Sequence, residues 1–436
     1  MNTEKPPAIG LNRSIRKWEV VLLMINSIIG AGIFGLPSKV FALSGVYSLL
    51  AFFACAIVIM IIIFCFAEVS SRFDKTGGPY LYTLNAFGPF PAYLMGWLLL
   101  LSRIFNFASL VNLIVIYLSF FSGSFNDPLI RGICILFVTV ALTLINHIGV
   151  KNTTRVNNIL TIAKLLPLTL FVVIGLFNLQ TPLFSPGPAP SLDAFSTSVL
   201  LLVFAFGGFE AVLVNSGEIQ NPKKNLPFAL ITASAFIAFF YFLIQLVCIG
   251  TLPGLASSEK PVAEAASGFM GRSGGGLIVI GAVISILGAL NAIVLSGSRL
   301  PFALSKEGQL PPVFSTIHPR YLTPTVSLVV FSLIIAAFSL VWSFIAALAI
   351  GAIVRTCVYL IVCASMIKLR KKKPGGDHFT LRYGYAAGIA GVILTAWLLT
   401  FSKLTELRDV LICMLAGVAC YGLYNWWKRK SETKKL

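Results

Sequence analysis

Charged residues are scarce in this chain of 436 residues. They make up 11% of the sequence, hydrophobic residues make up 57%, and the mean hydropathy is +0.91. A soluble domain of this length would contain about 25% charged residues. The composition therefore excludes an ordinary soluble domain and predicts an integral membrane protein.

Patterns that would indicate metal binding or catalysis are also lacking. The sequence has no CxxC pair and no paired acids at a candidate site, and its eight cysteines fall inside apolar stretches. We interpret these cysteines as small buried apolar residues rather than as disulfide partners. The three histidines, His147, His318 and His378, are typical of span ends and loops. We therefore expect no metal, no cofactor and no enzyme activity, and a membrane enzyme is the weaker alternative.

Long apolar runs are what the chain does have. A helix that spans a bilayer needs about 20 apolar residues, and about twelve stretches qualify. They lie near 18–42, 47–71, 90–121, 129–147, 157–177, 195–217, 227–251, 274–303, 323–341, 342–369, 383–402 and 407–427. The first run follows a polar tail, 1–17, and is too long for the apolar region of a cleavable signal.

Basic residues are distributed unevenly between alternate loops. If the tail 1–17 is cytoplasmic, the inside loops and the tail 428–436 carry most of the lysines and arginines, and the loop 178–194 outside carries none. By the positive-inside rule, both termini are predicted to be cytoplasmic, in a cytoplasmic (plasma) membrane. This bias accounts for much of the net charge of +18. Basic segments beside a membrane favour anionic lipid as a partner, and we expect no nucleic-acid partner.

Glycines interrupt two of the apolar runs. Residues 27–34 read SIIGAGIF, and residues 204–210 read FAFGGFE. Each break begins one of two successive sets of five segments, 18–177 and 195–373, which the accessory segments in 382–427 follow. Either motif alone favours a close packing contact between helices. The matched pair instead predicts a substrate site at the bilayer midplane, because irregular backbone at that depth must line a cavity or be buried in protein.

The chemistry of such breaks suits a zwitterion. After the first break, free N–H groups near Ile33 favour an anion such as a carboxylate. Before it, free carbonyls from Ser27 to Ile29 suit an ammonium group. The second break repeats this arrangement at Gly207 and Gly208, which makes Gly207 a candidate substrate contact. The pattern predicts a site for the head group of an α-amino acid.

Four long blocks of sequence carry a family resemblance. They are GAGIFGLPSKV at 30–40, FAEVSSRFDKTGGPYLYTLNAFGPF at 66–90, FGGFEAVLVNSGEIQNPKKNLPFAL at 206–230 and SRLPFALSKEGQLPPVF at 298–314. With these blocks the chain resembles, over nearly its whole length, the amino acid permeases of the amino acid–polyamine–organocation (APC) superfamily of transporters.

This resemblance implies a fold and a set of substrate contacts. The fold is an all-α polytopic membrane protein with about 12 transmembrane helices, arranged as a five-plus-five inverted repeat (LeuT-like) with helices 1 and 6 broken. Transport would proceed by alternating access to one central site. The residues that would hold the substrate carboxylate are Ala31, Gly32 and Ile33, and the carbonyls that would hold its amino group belong to Ser27, Ile28 and Phe204.

Aromatic residues surround the second break. Phe204 and Phe206 are candidates for a lid over the substrate, with core or lipid packing as the equal alternative, and Phe209 is a weaker candidate. Family members that exchange arginine or polyamines carry an aromatic residue on helix 8, where this chain has Asn291 and Ile293. The substitution argues against a cationic substrate, and Asn291 is a candidate contact for a polar side chain.

Charged residues inside spans are functional hypotheses by default. Burial disfavours the charged form of a lysine, so Lys164 in helix 5 is a candidate proton carrier. Related transporters place a lysine where sodium-dependent relatives bind sodium. The alternative is a lysine that extends to the inner surface. Glu210 is a candidate proton carrier, gate partner or cap on free amides. Arg103 and Arg355 would contact a substrate side chain, pair with Glu210, or form a gate.

The sequence as a whole predicts a secondary active transporter. We expect a proton-coupled, sodium-independent carrier of neutral or acidic amino acids, with a free amino acid, the proton and membrane lipid as its partners. An exchanger of amino acids or amines with the same fold is the nearest alternative. A membrane amino acid sensor that binds without transporting is the alternative from another class.

Overall fold

The computed structural model describes residues 15–30, 32–73, 77–148, 153–214, 216, 219–321, 323–371 and 378–433. This part of the chain forms fifteen α-helices and no β-sheet, which confirms the all-α prediction. The helices are α1 (Lys17–Ile28), α2 (Gly32–Ser44), α3 (Ser48–Ser70), α4 (Pro79–Phe87), α5 (Pro89–Leu118), α6 (Pro128–Ile148), α7 (Thr153–Leu176), α8 (Leu192–Phe206), α9 (Phe209–Val214), α10 (Pro222–Thr251), α11 (Pro261–Lys306), α12 (Thr325–Val341), α13 (Phe344–Arg370), α14 (Gly384–Thr400) and α15 (Leu404–Thr433).

These helices correspond to the twelve apolar stretches. Within the described residues, eight helical segments are long and apolar enough to cross a membrane, and three further apolar helices are shorter. The first stretch divides into α1 and α2, and the sixth divides into α8 and α9. Two helical pieces were not anticipated. One is α4, and the other is the part of α11 that precedes Gly271, where a φ of 70° separates two straight segments.

Both predicted helix breaks are present, and they cross each other. The helix α1 packs against α9, and α2 packs against α8, so the two broken helices run in opposite directions. A Cβ atom on Gly32 would lie 2.5 Å from the Cα of Ala205. Only a glycine at position 32 therefore allows α2 to approach the end of α8 this closely.

Burial separates inner helices from outer ones. The helix α5 is buried over most of its length and packs against α11 and α13. By contrast, α6 exposes large apolar side chains, among them Leu129, Phe137 and Leu144, and α15 exposes Leu411 and Leu415. A soluble protein rarely exposes so much contiguous apolar surface. The outer helices therefore present the face that suits lipid, and the inner helices enclose the site.

A cluster of charges fixes one end of the bundle. Glu68, at the end of α3, is fully buried. Its carboxylate accepts hydrogen bonds from Arg370 at 2.6 and 3.0 Å, from Arg72 at 3.3 Å and from the backbone N–H of Leu381 at 3.0 Å. The contacts tie α3 to α13 and to the segment before α14.

Replacing Glu68 with glutamine should destabilise the fold. The substitution leaves Arg370 and Arg72 without a buried counter-charge, and breaking a buried pair in this way costs about 3–5 kcal/mol. We expect a clear drop in the melting temperature of the purified protein in detergent. The matched control is Asp409→Asn, since its partner Arg408 is 66% exposed and an exposed pair contributes little. An equal drop in melting temperature for both variants would contradict the stabilising role given to Glu68.

Candidate functional site

A cavity of about 980 Å³ lies where the two broken helices cross. Five of the nine residues predicted to bind substrate line it: Ser27, Ile28, Gly32, Phe204 and Gly207. Arg103 and Arg355 line it as well. From the breaks, the cavity continues to the end of the bundle that carries Tyr80, Lys306 and Glu307. The structure thus brings most of the predicted site together around one space.

Three predicted contacts stand back from the cavity lining in this conformation. Ile33 is fully buried. The ring of Phe206 packs edge-on against Tyr241, with 5.4 Å between centroids. Asn291 accepts a hydrogen bond at 2.8 Å from the side chain of Asn146, which does line the cavity. Their contact with substrate stays a prediction, and Ala31 lies outside the described residues.

The backbones of the two breaks bind each other directly. The Ser27 hydroxyl donates a hydrogen bond of 2.6 Å to the carbonyl of Gly208. Gly208 has a φ of 121°, and a Cβ atom there would overlap the carbonyl oxygen of Ser27. The Tyr241 hydroxyl lies 3.3 Å from the carbonyl oxygens of Ile28 and Ala205, one in each broken helix. Sequence reasoning missed Tyr241, because one tyrosine in an apolar span carries no distinguishing signal.

The Lys164 side chain reaches the first break from α7. Its ammonium donates hydrogen bonds of 2.6 Å to the carbonyl of Asn26 and 2.8 Å to that of Ile29. The Ser285 hydroxyl, on α11, also donates to the carbonyl of Ile29, at 3.4 Å. Only 2% of Lys164 is exposed, so the side chain does not extend to the surface. It places a cation among carbonyls that the end of α1 leaves unpaired.

The acid of the second break has two contacts. One carboxylate oxygen of Glu210 accepts a hydrogen bond of 2.9 Å from the backbone N–H of Gly208. The other lies 3.4 Å from Nε of Arg355, which is an ion pair longer than an ideal hydrogen bond. Glu210 therefore combines two of its predicted roles, a cap on a free amide and a partner for an arginine.

Arg355 also bridges the break itself. Its Nη1 donates a hydrogen bond of 2.7 Å to the carbonyl of Phe204, and its guanidinium carbon lies 5.3 Å from the centroid of the Phe204 ring. A Cβ atom on Gly207 would overlap this guanidinium. Arg355 thus contacts a carbonyl that the sequence assigned to the substrate amino group, and the glycine provides the space for it. A carbonyl oxygen has two lone pairs, so a second donor can still bind there.

Two discontinuous helices that cross at a central cavity are typical of secondary transporters. Residues 15–404 match the family model described as amino acid permease. The chain therefore belongs to the amino acid permease family, its function is amino acid transport, and its relatives are transporters rather than enzymes.

Curated relatives from Bacillus subtilis (strain 168) are also named as permeases, exchangers or transporters. The chain is 26% identical to the branched-chain amino acid permease BcaP, over 95% of this chain and 93% of that protein. It is 30% identical to the serine/threonine exchanger SteT, over 73% and 74%, and 29% identical to a methylthioribose transporter, over 72% of each. Among solved structures, MhsT in complex with L-phenylalanine matches 90% of this chain and all of that one, with a TM-score of 0.65 at 14% identity, which supports the fold.

Substituting Gly207 with alanine should abolish most transport. The added methyl group would overlap the guanidinium of Arg355, which must then leave Glu210 and the carbonyl of Phe204. We expect loss of counterflow of labelled amino acids in proteoliposomes, without loss of protein from the membrane. The control is Gly187→Ala, because nothing lies within 4 Å of the Cβ position there. Full activity of the Gly207 variant would contradict this view of the break.

Proposed function

We propose that this permease is a sodium-independent, proton-coupled carrier of neutral or acidic amino acids that works by alternating access. The observation that carries the proposal is the Lys164 ammonium, held between the carbonyls of Asn26 and Ile29 at the end of α1. Backbone carbonyls at such a break are the ligands that coordinate sodium in transporters with discontinuous helices. A resident ammonium uses these carbonyls and repels a second cation.

Proton coupling follows from the same contacts. The protonated amine holds the end of α1 by two hydrogen bonds that carry a full charge, and such bonds are stronger than neutral ones. A neutral amine holds the same carbonyls more weakly, so the end of α1 moves more easily. Protonation of Lys164 would then favour one orientation of the broken helix over the other.

The substrate head group would lie between the breaks. The first turn of α2, from Gly32, offers unpaired N–H groups and the positive end of a helix dipole to the carboxylate. Ser27 and Ile28 line the same cavity, and their backbone carbonyls would bind the ammonium. Phe204, which also lines the cavity, is the residue of the second break best placed to cover the bound molecule.

The open end of the cavity gives the state of the carrier. The tails are proposed to be cytoplasmic, in a plasma membrane, on the evidence of the loop charges. The end that carries Tyr80, Lys306 and Glu307 is then the inner one. On this orientation the structure represents an inward-facing state, and the halves 18–177 and 195–373 would rock against each other to expose the site outside.

The coupling can be tested with Lys164→Ala. Uptake of labelled amino acids into proteoliposomes is measured with and without an inward proton gradient, and with and without sodium. We expect the wild type to respond to the proton gradient and not to sodium, and the variant to lose the response to protons. The control is the exposed lysine variant Lys403→Ala. Uptake driven by a sodium gradient alone would overturn the proposal.

An exchanger is the second candidate, because one relative is named as a serine/threonine exchanger. The two functions differ in whether the empty carrier reorients. Uptake into vesicles that contain no amino acid is expected of a proton-coupled importer. Uptake that appears only after preloading with unlabelled amino acid would support the exchanger. Binding without either form of uptake would indicate a sensor.

A further inference from the structure

A buried guanidinium with no hydrogen-bond or ion-pair partner among the described residues lies on the wall of the cavity. Arg103 is near the middle of α5 and is 6% exposed, and it lines the same cavity as the helix breaks. Within the described ranges, its side chain makes no hydrogen bond and no ion pair within 4 Å. Burying an unpaired charge costs several kcal/mol.

A second unpaired polar group lies one turn along the same helix. Asn106 is 4% exposed and lines the cavity, and its buried Oδ1 atom has no hydrogen-bond partner among the described residues. Residues three apart share one face of a helix, so Arg103 and Asn106 face the cavity together. The Asn106 Oδ1 and a carbon of the Phe204 ring both lie within 3.5 Å of the position that a Cβ on Gly351 would take. Asn106 therefore adjoins Phe204, which belongs to the proposed head-group site.

The charges around this pair do not cancel. Glu210 is the acid that acts on Arg103 electrostatically, while Arg355 and Tyr359 are the other titratable neighbours. The carboxylate of Glu210 is already engaged by Arg355 and by the amide of Gly208. One negative charge thus faces two guanidinium groups, and the ammonium of Lys164 is a further positive charge. Beside the helix breaks, and among the residues that the structure describes, the guanidinium of Arg103 therefore has no carboxylate within ion-pair distance.

Closure of the site raises the free-energy cost of leaving this charge unpaired. When a transporter occludes its substrate, it expels most of the water from the cavity. A neutral side chain would leave Arg103 buried and unpaired, whereas a carboxylate would bind the planar guanidinium through two parallel hydrogen bonds. The free energy of the occluded state is therefore lower with an acidic substrate than with a neutral one. An acidic substrate thus completes the transport cycle more readily.

We infer that Arg103 and Asn106 form a subsite for a carboxylate on the substrate side chain, so that the carrier is selective for acidic amino acids. Arg103 binds the carboxylate, and the Nδ2 group of Asn106, rather than its Oδ1 acceptor, donates a further hydrogen bond to it. Arg355 has a different task, since Glu210 and the carbonyl of Phe204 hold it at the second break. This inference rests on the proposed function, because it places the α-amino and α-carboxylate groups between the breaks.

The test compares pairs of substrates that differ in charge but not in shape. Counterflow of labelled L-glutamate and L-glutamine, and of L-aspartate and L-asparagine, is measured in proteoliposomes. We expect the wild type to accumulate at least one acid about tenfold more than its amide, which corresponds to a modest difference in binding. Arg103→Gln should lower accumulation of that acid about tenfold and leave the amide unchanged or improved. Asn106→Ala should lower it by a smaller factor.

The controls separate selectivity from folding and from transport as such. Arg408→Gln removes an exposed arginine and should change no substrate. If Arg103→Gln does not reach the membrane, two measurements still test the inference. One is the comparison of acids with amides in the wild type. The other is the variant Arg103→Lys, which keeps the charge without the planar fork. An amide accumulated as well as its acid by the wild type would overturn the inference, as would an equal loss of both in Arg103→Gln. Accumulation of neutral amino acids alone would leave amino acid transport intact, whereas accumulation of no amino acid would overturn the proposed function and the inference with it.

Discussion

The structure depends on one constraint, which is that backbone groups freed by a helix break must find partners away from water. An unsatisfied backbone group in an apolar interior costs several kcal/mol. In this chain, side chains from other helices meet that requirement at both breaks. Lys164 and Ser285 bind the carbonyls at the end of α1, Arg355 binds the carbonyl of Phe204, and Glu210 binds the amide of Gly208. The cavity exists because these partners hold the backbone open instead of letting it close into a helix.

Much of this arrangement was predictable from the sequence, for reasons specific to membranes. Long apolar runs are rare outside spans, and glycine pairs inside them mark places where helical backbone fails, so the helices, both breaks and the family followed from local sequence. Five of the nine predicted substrate contacts line the cavity because they belong to the breaks themselves. Their positions follow from the local sequence of the breaks, so they can be predicted without knowing how the helices pack.

Contacts between different helices were not predictable in the same way. Arg103 and Arg355 are equivalent in the sequence, since each is an arginine near the middle of an apolar span. Only the fold shows that Arg355 lies beside Glu210, while Arg103 faces the cavity with no hydrogen-bond or ion-pair partner in the described part of the chain. Phe206 turns towards Tyr241 for a similar reason. Helical periodicity specifies which residues share a face, and it does not specify what that face contacts.

Tyr241 lies within hydrogen-bonding distance of both broken helices, yet a hydroxyl group has a single hydrogen to donate. The carbonyls of Ile28 and Ala205 are equally distant from it, so the one hydrogen is shared between them or directed to either. Rotation about the bond between the ring and the oxygen transfers the hydrogen from one carbonyl to the other, with no movement of the ring. The hydroxyl can therefore satisfy a carbonyl of either broken helix from a single position of the ring.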